Sequence, residues 1–398
     1  MRYLQNFPSV LNTIRLGIGA CLLGLATGCA SNKPDSRSFA FWPSYPQEPR
    51  ILFLASYSSN LDVEPPKSQM DTVLYGKQTA PPVPITHPYG VAMWNGKIYV
   101  CDTRSTKLEV LDLRKHQMLL MGTGDTGKLV KPLAIAIADD GTKYVADNQL
   151  QSVVVFDATD RYVFSFGHKG FSPVGLAVHG NELYAADYKE SRIEVYDRIT
   201  GTFLRNIGGP GKKHGEMYGP LGIAVDNDGF VYVDDVINYR VQKFDPSGKY
   251  ISSFGTQGDT PGTFSRPKHL AVDSEGIIYV VDAAFQNVQM FDKQYGVLLY
   301  FGAAGTHPGA MDMPAGISVH EGDLDIFADK IPAAFAADRL ILVTNQFGDN
   351  RVSVYARGHL KAGHSIEELS GSRNLGPSGT TTQPTTGPGA PLPEPTTR

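Results

Sequence analysis

The chain has 398 residues, 41% of them hydrophobic, which is enough for two average domains or for one large repeat domain. Its 36 basic and 40 acidic residues give a formal net charge of -4, and this balance argues against a nucleic-acid partner, because phosphates are bound by basic surfaces. No two of its three cysteines form a Cys-x-x-Cys pair, so the chain lacks the usual haem-attachment motif and the paired cysteines of a zinc site.

The first 28 residues predict a secretory signal peptide. Arg2 and Arg15 come before the apolar run LGIGACLLGLATG, which is too short to span a bilayer. The run leads into LATGCAS, which resembles the lipobox of bacterial lipoproteins.

That resemblance implies that the chain is cleaved before Cys29 and that Cys29 receives a covalent lipid, which anchors the protein to a membrane. Ala30 rather than Asp follows Cys29, which in lipoproteins of diderm bacteria implies transfer to the outer membrane. The expected location is therefore the cell envelope, and the lipid on Cys29 is the only cofactor expected. An ordinary signal peptide with a cysteine at this position by chance is the alternative.

Two segments flank the central part of the chain and differ from it in composition. Residues 29–49 are polar and rich in proline, and we interpret them as a tether between the lipid and the folded domain. Residues 358–398 form a tail rich in proline, threonine and glycine. Because 20 of the 28 residues from 371 to 398 are Gly, Pro, Ser or Thr, the tail is predicted to be disordered.

Between these segments the sequence repeats itself six times, over residues 50–357. Each repeat begins with a proline and an apolar segment, and three more short apolar segments bounded by turn residues follow it. Four strands every 41 to 47 residues predict an all-β, six-bladed β-propeller of four-stranded antiparallel blades. The repeat prolines are Pro88, Pro132, Pro173, Pro220, Pro267 and Pro314.

The sixth repeat contains only three of the four strand-like segments. An unassigned segment, RILFLAS, stands at residues 50–56, upstream of the first repeat. We predict that it supplies the missing strand beside residues 352–355. Such closure joins the two ends of the domain and removes exposed sheet edges.

The repeat pattern resembles the NHL-repeat family of six-bladed propellers. The resemblance rests on the Pro-x-Gly-hydrophobic-Ala-Val segments, on the Tyr-Val-hydrophobic-Asp segments and on an Arg or Asn before the third strand, and it covers residues 50–357. Members of that family serve as lyases, RNA binders, sensors and scaffolds, so the resemblance implies the fold and leaves the function open. RNA binding conflicts with the predicted export and with the acidic balance.

Five repeats end their second strand on an aspartate. Because the role is repeated around the ring, we interpret these residues as structural caps of turns. Convergence of their carboxylates on a calcium ion at the propeller axis is the alternative. The five residues are Asp102, Asp147, Asp187, Asp235 and Asp282.

Lyases of the NHL type place metal-binding histidines directly after the blade prolines. In this chain no histidine stands there, so the resemblance does not carry a zinc site over and no metal is expected. The six positions are Tyr89, Leu133, Val174, Leu221, Lys268 and Ala315.

His269 takes a position where the other five repeats have glycine or alanine. Its larger, titratable side chain is expected to face the axial channel. With Lys268 beside it and His87 from another blade, it forms the candidate ligand-binding set. A hydrated histidine without a function is the alternative.

Two features suggest a surface for a partner. Three long connections, at residues 208–220, 255–267 and 302–314, are expected on one face of the ring, where loops on a rigid scaffold usually bind. An insertion at residues 321–339 of the sixth repeat has the composition of an amphipathic docking helix or of a self-packed excursion.

These observations favour a non-enzymatic, lipid-anchored β-propeller that binds an envelope protein or a small ligand outside the cytoplasm. The alternative is a metal-dependent lyase or lactonase with an axial site.

Overall fold

Every repeat forms a sheet whose first strand is innermost and begins at the repeat proline. The computed structural model describes residues 40–65 and 81–370. The predicted signal peptide, Cys29 and residues 371–398 lie outside the described residues. In the described part, five four-stranded sheets and one five-stranded sheet are present, which confirms the all-β, six-bladed propeller.

In blades 1 to 5 the strands follow the chain from the inside of the blade outward. Blade 1 contains β3 (Pro88–Trp94), β4 (Lys97–Asp102), β5 (Lys107–Asp112) and β6 (Gln117–Met121). Blade 2 contains β7 (Pro132–Ile137), β8 (Lys143–Asp147), β9 (Ser152–Phe156) and β10 (Tyr162–Gly167). Blade 3 contains β11 (Pro173–His179), β12 (Glu182–Asp187), β13 (Arg192–Asp197) and β14 (Phe203–Ile207).

Blade 4 contains β15 (Pro220–Val225), β16 (Val231–Asp235), β17 (Arg240–Phe244) and β18 (Tyr250–Phe254). Blade 5 contains β19 (Pro267–Val272), β20 (Ile278–Asp282), β21 (Asn287–Phe291) and β22 (Val297–Phe301). Blade 6 contains β23 (Pro314–His320), β24 (Phe335–Asn345), β25 (Val352–Leu360), β2 (Ile51–Tyr57) and β1 (Phe41–Trp42). One short helix, α1 (Ile366–Ser370), follows.

Burial separates the middle strands from the outer ones. All five residues of β8 are buried, whereas four of the five residues of β14 are exposed or only partly buried. A middle strand packs against a neighbouring blade on both faces, so both of its faces are buried, while the outer strand forms the rim of the disc. The core is therefore a ring of clusters between adjacent blades.

The glycine of the Pro-x-Gly motif is required by the close approach of neighbouring inner strands. A Cβ atom on Gly316 would lie 2.1 Å from the carbonyl oxygen of Tyr89, and one on Gly175 would lie 2.1 Å from that of Leu221. No side chain fits at these distances. The repeated glycine is thus a packing requirement between blades.

The N-terminal strand closes the ring, as predicted. Strand β2 pairs antiparallel with β25, from Ile51 opposite Arg357 to Tyr57 opposite Val352. Residues 41–42, which the sequence analysis assigned to the tether, add a fifth strand outside β2. Strand β25 also continues to Leu360, so the sheet of blade 6 extends beyond residues 50–357 at both ends.

An ionic network joins blade 6 to blade 5. The carboxylate of Asp273, which follows β19, lies 2.9 Å from a guanidinium nitrogen of Arg339 and 2.9 Å from one of Arg357. Arg357 also binds Glu275 at 2.9 Å. The two arginines lie on the strands of blade 6 that meet at the closure, so the network links the last blade to its neighbour.

The insertion in blade 6 packs on its own domain. It contains a 3₁₀ helix, Leu324–Lys330, and then joins the extended β24. Phe327 and Phe335 are each 1% exposed and belong to the cluster between blades 6 and 1. Its main apolar side chains are therefore not presented to a partner. In the described part of the chain, no helix is long and apolar enough to cross a membrane.

Candidate functional site on the loop face

The repeated aspartates define one face of the ring, which we call the loop face. It carries the connections that precede each inner strand and those that follow each second strand. The carboxylate of Asp102 accepts N–H bonds from Thr86 and His87 in the first connection and from Ser105 in the second. Burial opposes ionisation, but these backbone donors outweigh it and lower the pKa of Asp102.

Asp147 and Asp282 act in the same way. Asp147 accepts N–H bonds from Val130 and Lys131 and from Gln149 and Leu150. Asp282 accepts the corresponding four from Ser265, Arg266, Ala284 and Phe285. These carboxylates hold two turns together within their own blade.

Asp235 and Asp187 depart from this arrangement. Asp235 accepts one backbone N–H, from Tyr218, and side-chain bonds from Asn238, Arg240 and Gln242. Asp187 accepts only the N–H groups of Lys189 and Glu190, both through Oδ1. Its buried Oδ2 has no hydrogen-bond partner among the described residues.

Two of the three long connections are held by buried glutamines of the third strands. Gln242 accepts the N–H of Gly215 at 3.0 Å and donates to the carbonyl of Glu216 at 2.7 Å. Gln289 does the same with Gly262 at 2.8 Å and Thr263 at 2.9 Å. Each amide replaces the partner strand that the loop backbone lacks.

The third long connection is bound by asparagines of blade 6. Asn345 accepts the N–H of Asp312 at 3.2 Å, and Asn350 donates to the carbonyl of Ala310 at 3.3 Å. Each long connection also buries one side chain completely, at 0% exposure. These side chains are Met217, Phe264 and Met311.

The axial end of the loop face carries a cation without an acidic partner. Lys268 is 5% exposed; its Nζ donates to Oε1 of Gln346 at 2.7 Å and lies 5.7 Å from the ring centre of Tyr89. Burial, together with the charge of Arg266, lowers the pKa of Lys268 to about 8. Among the described residues, neither Lys268 nor Arg266 forms a salt bridge.

Asp234 is a member of this axial end that sequence reasoning missed. It is fully buried and neither carboxylate oxygen has a partner among the described residues. Burial, with the nearby carboxylates of Asp235 and Asp282, raises the pKa of Asp234 well above its usual value. The available signal was VYVDD, because only this repeat has an acid before the strand-ending aspartate.

Two of the three predicted ligand-binding residues, His87 and Lys268, lie close enough for the charge of one to affect the pKa of the other. Burial lowers the pKa of His87, and Arg104 and Lys268 lower it further against the charge of Asp102. Nδ1 of His87 lies 2.9 Å from the hydroxyl of Thr103. His87 and Lys268 therefore belong to the same end of the axis.

His269 lies apart from them, in the wall of the axial channel. The channel has a volume of about 480 Å³ and is lined mainly by Gly, Ala, Val and Ile of the six inner strands, starting one residue beyond the post-proline positions. Nδ1 of His269 has no partner among the described residues. Burial lowers the pKa of His269 to about 4, so the ring is neutral at physiological pH.

The axial residues do not fit a metal ion. The post-proline ring presents three aliphatic side chains, an alanine, a tyrosine and a lysine, and Lys268 would repel a cation. Within residues 40–65 and 81–370, the one group of three potential ligands lies elsewhere, at His168, Asp187 and Glu194. The five repeated aspartates therefore do not converge on the axis.

The fold and this face define a six-bladed β-propeller with a polar axial end and a lopsided set of ordered loops. No protein-family model matches the chain. The Drosophila melanogaster protein brain tumor is 28% identical over 131 residues, which cover 31% of this chain and 12% of that protein. The match thus spans about one eighth of the relative's length.

Solved structures are similar to this chain at low sequence identity. A Bacteroides thetaiotaomicron protein of unknown function has a TM-score of 0.50 and 14% identity, over 68% of this chain and 69% of that one. Virginiamycin B lyase from Staphylococcus aureus has a TM-score of 0.48 and 13% identity, over 68% and 95%. The calcium-binding protein regucalcin from Agrobacterium tumefaciens has a TM-score of 0.46 and 13% identity, over 70% of this chain and 92% of that one. At these identities the likeness concerns the fold alone.

Proposed function

We propose that this chain is a lipid-anchored, NHL-type propeller that binds an envelope protein through its loop face. The observation that best supports this proposal is the construction of the long connections. Gln242 and Gln289 bind the loop backbone through both donor and acceptor. A surface that is ordered before binding loses less conformational entropy when the partner docks.

The axial end suggests the charge of the partner. Lys268 and Arg266 have no acidic partner among the described residues, and the raised pKa of Asp234 favours its uncharged form. Tyr188 and Phe347, which are 43% and 49% exposed, offer aromatic surface on the same face. We propose that the partner places an acidic side chain at this end of the axis, between aromatic contacts.

The location follows from the lipobox-like sequence before Cys29. We propose that the propeller is held at the cell envelope, at the outer membrane of a diderm bacterium, by a lipid on Cys29. Replacing Cys29 with Ala should move the protein from the membrane fraction to the soluble fraction. Mass spectrometry that finds an unmodified Cys29 in the mature wild-type protein would contradict the anchor.

The enzymatic alternative has less support in the axial chemistry. A metal-dependent lyase or lactonase needs several nitrogen or oxygen ligands on the axis. The axial positions are instead mostly aliphatic, and Lys268 is the charged group there.

The test shortens the three long connections at their exposed residues while keeping the glutamines that bind them and the buried Met217, Phe264 and Met311. Folding should be preserved, because each connection joins strands already paired within their own blades. Partner recovery from detergent-solubilised envelopes should fall by about tenfold or more, which corresponds to about 1.4 kcal/mol.

The matched control replaces His269 with Ala, because His269 lies in the channel wall, and it should retain the partner. A partner that survives loop shortening but is lost with His269→Ala would place the function in the axial channel and refute the loop-face proposal.

A further inference from the structure

Blade 3 brings together three side chains that the sequence does not associate. His168 follows β10, Asp187 ends β12 and Glu194 is the third residue of β13. One potential ligand atom from each lies within 4.8 Å of the other two. Asp187 and Glu194 are 0% and 1% exposed, and the His168 side chain is 44% exposed, so solvent reaches the group from one side.

Oδ2 of Asp187 accepts no hydrogen bond from the described residues and can therefore bind a ligand. In blades 1, 2 and 5 the corresponding carboxylate is occupied by N–H groups from both adjacent connections. The connection before blade 3 has only five residues between Gly167 and Pro173, and it donates no N–H to Asp187. The buried Oδ2 is therefore unpartnered, an expensive state for a buried acceptor.

Glu194 takes the strand position that Gln242 and Gln289 hold in blades 4 and 5. Its Oε1 is bound by Arg192, 2.7 Å away. Its Oε2 accepts a hydrogen bond from the hydroxyl of Tyr196 and lies 3.0 Å from Nε2 of His168. Arg192 offsets one of the two carboxylate charges and fixes the orientation of Glu194, so Oε2 is held towards His168 and Asp187. This arrangement resembles a ligand oriented by a neighbouring side chain.

Blade 1 provides an internal comparison. Glu109 occupies the same position as Glu194, but its Oε2 is buried without a partner among the described residues. Asp102, however, is fully engaged by backbone donors. Among the described residues no imidazole completes a group of three there. The three donors occur together only in blade 3.

We propose that His168, Asp187 and Glu194 form a binding site for a divalent transition-metal ion such as Zn²⁺, away from the propeller axis. One imidazole nitrogen and two carboxylate oxygens match the ligands that Zn²⁺ accepts, and solvent on the His168 side can supply a fourth. The site goes beyond the proposed binding function and differs from the sequence expectation of no metal. The sequence does not indicate this site, because its ligands lie on three separate elements and are spread over 26 residues.

The test measures Zn²⁺ binding to the purified full chain after treatment with a chelator, by isothermal titration calorimetry and by metal analysis of dialysed protein. The wild type should bind one ion at this site. His168→Ala and Asp187→Asn should each weaken binding by at least about tenfold, since even partners of metal ligands have effects of that size. His168 is exposed enough for its replacement to leave the fold intact.

His214→Ala is the matched control, because His214 is an exposed histidine of the loop face whose ring contacts that of Tyr250. It should leave Zn²⁺ binding unchanged. The proposal is wrong if the wild type binds no Zn²⁺, if His214→Ala weakens binding as much as His168→Ala, or if Asp187→Asn binds as tightly as the wild type.

Discussion

His269 shows how one residue can depart from a repeat and still serve packing. The channel that it lines is mainly apolar, and its Nδ1 has no partner in the described part of the chain. A Cβ atom on Gly222, which holds the same position in blade 4, would lie only 2.6 Å from Cα of His269. The inner strands of blades 4 and 5 are therefore in direct contact here. Burial, rather than a ligand, accounts for its lowered pKa.

We expect His269 to make the protein less stable in acid. Its pKa is about 4 in the folded protein and about 6.5 in the unfolded chain. Between about pH 6.5 and pH 4, His269 is therefore mostly protonated in the unfolded chain and mostly neutral in the folded protein. The free energy of unfolding should fall over this window, by about 2 kcal/mol at pH 5.

His269→Gln should remove this part of the pH dependence, measured by urea unfolding between pH 7 and pH 4.5. His214→Gln is the control, since His214 stays exposed on folding. An unchanged acid slope in His269→Gln would show that another group is responsible.

The third strands of blades 4 and 5 decide how the long connections before these blades are held. The third residue of the third strand is Gln242 in blade 4 and Gln289 in blade 5, where the connections are long. In blade 2 the same position holds Val154, and the connection there needs no such bond. The glutamine amide satisfies both a donor and an acceptor of the loop backbone. The order of the loop face thus depends on strands two positions away from the axis.

Gln289→Ala should loosen the connection at residues 255–267 without unfolding the blade. The N–H of Gly262 and the carbonyl of Thr263 would lose their partners. Hydrogen exchange of a peptide covering residues 256–265 should accelerate by about tenfold or more, as expected when the two lost bonds together contribute about 1.4 kcal/mol or more. The control is Lys293→Ala, at an exposed turn on the opposite face. Equal protection in both variants would mean that the glutamine does not order the loop.

Ring closure is the property of the whole molecule on which its stability depends. Strand β2 covers β25, and Ile51 and Leu52 are fully buried. Without β2, the third strand of blade 6 would become an exposed edge, and the apolar clusters beside blade 6 would open to water.

Deleting residues 50–56 should lower the melting temperature by about 10 °C or more, because several buried side chains are lost at once. Deleting residues 371–398 should change it little, since their composition is poor in apolar residues. Differential scanning calorimetry of both deletions and the wild type decides the matter. Similar melting temperatures for the two deletions would refute the role given to β2.

Local sequence patterns were sufficient to predict the architecture. The repeat prolines, the glycines and the strand-ending aspartates recur with a period that only a ring of four-stranded blades explains, and RILFLAS was the single strand left to complete it. The repeated signals each lie within one blade, where residues close in sequence are also close in space, and RILFLAS was assigned because only the sixth blade lacked a strand. The repeat period therefore predicts the number of blades, the order of the strands and the closure of the ring.

The sites were decided by tertiary structure. Asp234 and Tyr89 come from blades 4 and 1, yet Asp234 contributes to the raised pKa of Tyr89. Asp187 acquires a free oxygen only because a short connection brings it no N–H donor. Periodicity shows which residues are equivalent along the chain. It does not show which of them lose a partner or meet across the ring, because burial and distance between blades are set only when the ring closes.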